Sequence, residues 1–174
     1  MPEPAATGAR LPRLLVAILL LALAGCGFQL RGSGAMPQAM AVTCIEGVKP
    51  WSSLYLDLRA ALEGYGVTVT GDRGEATAVL RVLENESRTD VLTVDIGGKV
   101  QELQYVQMIR FQVAARDQQV LVPEQDVTAR RDFVFNKNEI LAKERESQFI
   151  RQALQRDVVN LAMLRIMAAG RDVP

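Results

Sequence analysis

The alternation of apolar and polar residues first predicts a strand, a helix and a second strand. Residues 39–46 alternate as in a strand, and residues 51–66 repeat their apolar positions at the spacing of one helix face. Ser52 or Ser53 can cap the start of this helix, and Gly64 or Gly66 can end it. The crossover predicts two parallel, neighbouring strands. The predicted helix stripe is Leu54, Leu58, Ala61, Leu62 and Tyr65.

Residues 67–135 have the pattern of β-structure that is covered on one side. Residues 67–72 predict a short lead-in strand, and residues 77–96 a long strand with a bulge near Asn85. Gly97 and Gly98 predict a hairpin, and Pro123 places the last strand at an edge or a bulge. The predicted buried face holds Leu103, Tyr105, Ile109, Phe111, Val113, Leu121, Val127, Ala129, Phe133 and Phe135. The predicted polar face holds Glu102, Gln104, Arg110, Gln112, Arg130 and Asp132.

A long helix closes the predicted fold. Asn136 and Glu139 have capping-box spacing. The element order β-α-β-β-β-α predicts an α+β fold, a two-layer sandwich with two helices on one face of a twisted, mixed, four-stranded sheet. The predicted stripe of the last helix is Ile150, Ala153, Leu154, Asp157, Val158, Leu161 and Leu164, with Asp157 on its rim.

The first 25 residues have the layout of a secretory signal. Arg10 and Arg13 precede an apolar run over residues 14–25, which is shorter than the roughly 20 residues that a membrane-spanning helix needs. The run ends in Leu-Ala-Gly before Cys26, which resembles a bacterial lipobox. That resemblance implies cleavage before Cys26, a diacylglycerol on its sulfur and an acyl group on its amine. Such chains would hold the protein on a membrane surface.

The mature chain then divides into a tether over residues 26–38, one domain over residues 39–170 and a short tail over residues 171–174. Bacterial lipoproteins that stay at the inner membrane usually carry Asp after the lipidated cysteine. By that analogy, Gly27 favours the inner leaflet of the outer membrane.

Composition excludes several classes of function. Without its signal the chain has a net charge of about −1, whereas nucleic-acid binding requires a basic face. The chain has no histidine, so Ser-His-Asp triads, Cys-His nucleophiles and zincin sites are excluded. Residues 95–100 lack P-loop spacing. We therefore expect neither an enzyme nor a metal site. With Cys26 lipidated, Cys44 has no intrachain partner, and we expect it to be buried.

Three features together resemble the LptE family of lipopolysaccharide-assembly lipoproteins. They are the start Cys26-Gly27-Phe28-x-Leu30-Arg31-Gly32, the β-α-β-β-β-α order, and the stretch ILAKERESQ at the start of the last helix. The resemblance implies a non-enzymatic lipoprotein on the periplasmic side of the outer membrane of a Gram-negative bacterium. It would plug the lumen of the LptD β-barrel, support assembly of that barrel and bind lipopolysaccharide during delivery. No cofactor is implied beyond the lipid on Cys26.

The resemblance also implies two lipopolysaccharide-binding residues. Lys143 matches a family lysine in an Ala-Lys-acidic stretch at the start of the last helix. Lys99 is the nearest basic residue to a second family position near the hairpin, where an arginine in a different register is expected. Lysines suit this ligand because lipopolysaccharide carries phosphates and carboxylates. The predicted strand after the hairpin, residues 99–116, is less aromatic than the family pattern, and the tail after the last helix is short.

Two alternatives remain at this stage. An auxiliary lipoprotein of a phospholipid transport system would need an apolar lipid groove but no barrel partner, and a contiguous exposed apolar patch of more than a few hundred Å² would favour it. An enzyme would need paired carboxylates in a pocket. Glu144 and Glu146 are close in sequence, but residues two apart on a helix do not face each other.

Overall fold

The computed structural model describes residues 35–134 and 140–170, with only the backbone described for residues 140–143. The predicted signal, most of the tether, Phe135, Asn136, Glu139 and the tail lie outside these ranges. A short 3-10 turn, Gln38–Met40, precedes the fold. The elements are β1 (Val42–Glu46), α1 (Ser53–Gly64), β2 (Thr68–Thr70), β3 (Ala78–Val94), β4 (Val100–Ala115), β5 (Val120–Val134) and α2 (Ile140–Ala169).

The sheet has five strands in the order β2-β1-β3-β4-β5, so the predicted count of four is wrong by one. The added strand is the short lead-in segment, whose three residues pair in parallel with β1 from Val42 opposite Thr68 to Cys44 opposite Thr70. A segment this short carries too little pattern to predict its pairing. The predicted parallel neighbours are present, since β1 pairs with β3 from Thr43 opposite Ala78 to Glu46 opposite Arg81.

β3, β4 and β5 form an antiparallel meander of long strands, which is interrupted by bulges. One bulge lies between Val82 and Glu84, slightly before the predicted position, and another lies between Val91 and Thr93. In β5, which is an edge strand, the register shifts between Gln125 and Val122, beside Pro123, so the prediction of an edge or a bulge is confirmed. Because a one-residue slip exchanges the two faces of a strand, Val122 is fully buried there and Leu121 is only half-buried.

Helix α1 starts and ends through the residues that the sequence indicates. The Ser52 hydroxyl oxygen accepts the backbone N–H of Tyr55 at 3.2 Å and caps the start. At the other end Gly66 has φ +81°, and its N–H donates to the carbonyl of Glu63 at 2.9 Å. Leu54, Leu58 and Leu62 are buried as predicted, whereas Tyr65 is exposed.

Helix α2 buries Leu154 and Val158 as predicted, but beyond them its buried stripe departs from the predicted one. Leu161 and Leu164 are exposed. The prediction followed a seven-residue repeat, whereas the buried positions advance mainly by four residues. Each four-residue step turns the buried stripe by about 40° around a helix that has 3.6 residues per turn, so the stripe follows the twist of the sheet. The buried residues are Leu154, Val158, Val159, Ala162, Met163, Ile166 and Met167.

Both helices cover one face of the sheet and enclose the main core, which confirms the two-layer α+β fold. The core combines three sets of side chains: the buried leucines of α1, the inward rows of β3, β4 and β5, and the buried stripe of α2. A smaller cluster of Tyr105, Phe133 and Leu154 lies beyond it, towards the β3–β4 turn. Thr43 is fully buried in β1, and its hydroxyl donates to the carbonyl of Met40 at 2.8 Å.

Gly47 ends β1 at a position that tolerates no side chain. It has φ +84°, and a Cβ there would overlap the carbonyl oxygen of Val82 in β3. We expect Gly47→Ala to lower the free energy of unfolding by about 2 kcal/mol or more, from positive-φ strain and the backbone clash. Gly66→Ala is the matched control, since Gly66 has φ +81° with open space around it and should lose only about 1 kcal/mol. Urea denaturation measures both; equal losses would contradict the clash.

Candidate functional site

The face of the sheet opposite the helices carries rows of charged and polar side chains. Strand register places Glu84, Arg110 and Asp126 side by side across β3, β4 and β5. A second row across the same strands holds Asp90, Gln104 and Asp132, and Gln104 Nε2 donates to Asp132 Oδ1 at 2.8 Å. The register thus places the six residues of the predicted polar face together: Glu102, Gln104, Arg110, Gln112, Arg130 and Asp132.

Arg110 lies at the centre of this outward face, although the sequence marks it only as an ordinary outward residue. Its guanidinium is 2.7 Å from Asp126, 3.2 Å from Glu84 and 3.3 Å from Glu124. The hydrogen bond from Arg110 holds the pKa of the Asp126 carboxyl below its ordinary value, and the same bond raises the pKa of Arg110. One cation therefore joins three acids on two neighbouring strands.

Further along the same face, Arg88 is 3.1 Å from Asp90 and 3.6 Å from Glu86. Val106 is only 2% exposed, although it lies on the outward side between Arg88 and Arg130 in the register. Its burial indicates that long side chains lie across the strands. The outward face is a hydrated surface of fixed, mixed charge, as the predicted one-sided sheet requires.

The β3–β4 turn holds Lys99 in a defined backbone geometry. Gly98 has φ +73°, and its N–H donates to the carbonyl of Asp95 at 2.8 Å. The Asp95 carboxylate accepts the backbone N–H groups of Gly97 at 2.9 Å and of Lys99 at 2.8 Å. The predicted Gly97-Gly98 hairpin is therefore present, and Lys99 is an exposed residue of its turn.

Exposed apolar side chains surround this turn, and sequence reasoning missed them. In the sequence they belong to an apolar run that continues to Ile96, and such a run predicts a strand without showing that its side chains are exposed. Large apolar residues exposed together at the end of a sheet suit an apolar partner or ligand. This group, the hairpin tip, comprises Val91, Leu92, Val94, Ile96 and Val134.

Lys143 lies in the first turn of α2, and its side chain is outside the described part of the structure. The Tyr105–Phe133–Leu154 cluster fixes which end of α2 this is. The Tyr105 and Phe133 ring centroids are 5.7 Å apart, and the Arg151 guanidinium lies 5.0 Å from the Tyr105 centroid. From this cluster the helix start and the β3–β4 turn each extend about 20 Å further. The two predicted lysines therefore lie at the same end of the domain.

An ion pair near the middle of α2 lies on the rim of its buried stripe. Arg131 donates to Asp157 at 3.0 Å and links β5 to the helix. Asp157 therefore lies on the edge of the apolar stripe, as predicted. This contact and the Tyr105–Phe133–Leu154 cluster hold the middle of α2 against the strands.

Cys44 is buried, as expected. It is 5% exposed, and burial raises the pKa of its thiol, with a further contribution from the charge of Glu46. A protonated, buried thiol is unreactive. Glu46 itself bridges Arg73 at 2.6 Å and Arg81 at 3.1 Å. Cys26, the predicted lipidation site, lies outside the described residues.

Within the described ranges, no group of three or more Cys, Asp or Glu side chains is placed to hold a metal ion. A cleft of about 250 Å³ lies between α1 and α2. Its lining is polar apart from one leucine, which does not suit an acyl chain: Ser53, Leu56, Asp57, Gln152, Gln155 and Arg156. Among the described helices, none has the length and apolarity to cross a bilayer.

This two-layer fold is that of small bacterial lipoproteins. It superposes with TM-score 0.70 on an uncharacterized lipoprotein B from Nitrosomonas europaea, at 19% identity over 84% of this chain and 94% of the other. A minor lipoprotein from Acinetobacter baumannii gives TM-score 0.62 at 22% identity, covering 74% of this chain and 92% of the other. At such identities the likeness shows the fold.

The sequence comparisons identify the family. The family described as "LptE: Lipopolysaccharide-assembly" matches residues 40–167. An LPS-assembly lipoprotein LptE from Photorhabdus laumondii is 30% identical over 84% of this chain and 79% of its own length. One from Yersinia pestis is 30% identical over 84% of this chain and 70% of its own length. The chain belongs to the LptE family. Its relatives are named for lipopolysaccharide assembly and not for a reaction.

The Arg110 cluster generates a pH-dependent prediction. A carboxyl whose pKa is lowered by folding stabilises the protein above its unfolded-state pKa, and the contribution is lost as the pH falls through the folded-state value. We expect Asp126→Asn to lower the melting temperature at pH 7 by no more than about 2 °C, since the pair is exposed. The difference should vanish once Asp126 of the unmodified protein is protonated.

The partner variant supplies the control for this experiment. In an Arg110→Gln background, Asp126→Asn should have no comparable pH-dependent effect, because the donor that lowers the pKa is absent. Thermal melts of the four proteins between acid and neutral pH measure the coupling. The same pH dependence in both backgrounds would contradict the assignment.

Proposed function

We propose that the protein is a lipid-anchored plug and assembly partner of an LptD-type outer-membrane β-barrel. We also propose that it binds lipopolysaccharide at the end of the domain that carries the β3–β4 turn, which we call the hairpin end. Membership of the LptE family and the outward sheet face support this together. The proposed anchor is Cys26, acylated on sulfur and amine, on the periplasmic side of the outer membrane.

The outward face carries the plug proposal. The lumen of a large membrane barrel is polar and hydrated, so a plug needs a mixed-charge surface of defined shape. Arg110 and Arg88 join acids along and across the strands of this face, and Gln104 bonds Asp132. Within the described residues the helices cover only one side of the sheet, so the outward face is available to a partner.

The hairpin end carries the ligand proposal. Lipopolysaccharide combines anionic groups with acyl chains, so its site needs cations beside apolar surface. Lys99 lies in the same turn as the exposed Ile96, and Lys143 lies in the first turn of the helix that extends towards the same end. We propose Lys99 and Lys143 as phosphate contacts and the hairpin tip as the apolar contact.

The alternative, an auxiliary lipoprotein of a phospholipid transporter, requires an apolar groove. The large exposed side chains at the hairpin end lie on strand ends and a turn. The cleft between the helices is lined mainly by polar residues. Neither feature favours a phospholipid-carrying groove, so the barrel partner is the better proposal.

Detergent purification from outer membranes through a C-terminal tag tests the barrel partner. We expect one large β-barrel protein in stoichiometric amount, identified by mass spectrometry. The Cys26→Ala chain is the control for the anchor: it should fold but leave the outer-membrane fraction. Co-elution with an inner-membrane transporter, or with no partner, would refute the plug, and normal membrane retention of Cys26→Ala would refute the anchor.

Charge reversal at the hairpin end tests the ligand site. We expect Lys99→Glu combined with Lys143→Glu to weaken binding of fluorescent lipopolysaccharide by about tenfold, because two charge-assisted contacts are replaced by repulsion. The melting temperature should change little. Lys49→Glu is the matched control, an exposed lysine in the loop after β1, about 40 Å from the turn along β3. Equal binding by all three proteins would remove both lysines from the site.

A further inference from the structure

β3 has a long edge that no described strand covers. β4 pairs with one side of it from Ala78 to Val94, but β1 pairs with the other side only as far as Arg81. In an antiparallel ladder every second residue turns its N–H and C=O away from its partner. From Leu83 to Val94 these groups face outward on the side opposite β4. Most residues of this stretch are exposed.

This edge differs from the other edges of the sheet. The edge strand β2 has three residues. The outer side of β5 carries Pro123 and a bulge, and the Arg131–Asp157 ion pair ties that strand to α2. The β3 edge has no proline, and its register with β4 is continuous from Glu84 to Val91. We call residues 84–91 the open edge.

The side chains of the open edge define what can pair with it. Its outward-face row is Glu84, Glu86, Arg88 and Asp90, which is acidic overall, and Arg88 is already paired with its two acidic neighbours. A strand added here would therefore meet net negative charge on that face, so Lys or Arg at alternate positions would complement it.

The opposite, helix-side row leaves room for the added strand. Asn85, Ser87 and Thr89 are small and are exposed within the described part of the chain. Leu83 and Leu92 lie at the two bulges that bound the open edge, and they are 42% and 47% exposed. The edge thus combines a regular run of backbone groups with an apolar residue at each end, as strand addition requires.

We propose that the open edge of β3 takes an added β-strand from the barrel partner, with basic residues at alternate positions. This inference rests on the proposed plug function. Every strand in the wall of a membrane barrel is already paired on both sides. The added strand therefore comes from a segment outside the wall, such as a loop folded into the lumen or a periplasmic region. Complementary charge selects that segment over a second copy of this chain, whose own edge is acidic.

Amide hydrogen exchange of the full mature protein, free and in the barrel complex, tests this proposal. We expect about half of the amides in residues 84–91, those that face away from β4, to exchange at least tenfold more slowly in the complex. Residues 128–133 of β5 are the internal comparison for an edge that receives no strand. Unchanged exchange at residues 84–91 in an intact complex would overturn the proposal.

Proline substitution supplies a second, independent readout. Ser87→Pro and Arg88→Pro remove neighbouring amides, one of which faces β4 and the other the open edge. The variant that keeps the melting temperature is the informative one, and we expect it to capture at least tenfold less barrel. Full capture would overturn strand addition.

The outcomes separate this inference from the proposed function. If no barrel co-purifies, the plug proposal itself fails. If the barrel co-purifies but the open edge exchanges freely and the proline variant binds normally, only strand addition fails. Slow exchange at residues 84–91 in the free protein, with a dimer by light scattering, would identify a second copy as the occupant and overturn the proposed one.

Discussion

The rest of the structure depends on burial of the α2 apolar stripe against one face of the long strands. Fully burying a large aliphatic side chain contributes about 1.5–3 kcal/mol, and α2 supplies several, including Met163 and Ile166. The ion pairs of the opposite face are exposed and contribute little to stability. The helix side therefore holds the fold, and the charged side can be shaped for contact with little loss of stability.

Element lengths divide the domain into two unlike ends. Helix α2 is about 45 Å long, close to the roughly 50 Å of β3, β4 and β5, whereas α1 and β1 each span less than about 20 Å. Near residue 170 the sheet has two helices and its short strands. Towards the β3–β4 turn it has one helix and three strands. The proposed lysines, the exposed apolar tip and the open edge all follow from this difference in length.

Local patterns predicted most of the fold, and tertiary geometry decided the rest. Ser52 acts through its hydroxyl, Gly98 through its positive φ and Pro123 through its missing N–H, so the cap, hairpin and edge bulge could be predicted. The second half of the α2 stripe could not be predicted, because the twist of the sheet selects Met163 and Ile166 over Leu161 and Leu164. β2 pairs through three residues, too few to show a period.

The candidate site divides in the same way. The outward row from Glu102 to Gln112 follows from strict alternation and was predicted. The role of Arg110 was not, because its acids come from β3 and β5, and only the strand register brings them together. The open edge was also not predictable, since it depends on where β1 stops and not on any pattern within β3.

The meander also bears on the order in which the chain folds. A five-residue turn joins β3 to β4, so this pairing closes a short loop, whereas β1 pairs with β3 at a sequence separation of 35 positions, Thr43 with Ala78. The hairpins can therefore form before the parallel pair, at a stage when the whole β3 edge is free. Gly47 turns the chain where it approaches the Val82 backbone, and this turn limits how many residues of β1 pair with the β3 edge. Folding ends with part of a strand still unpaired, as a consequence of where one glycine turns the chain.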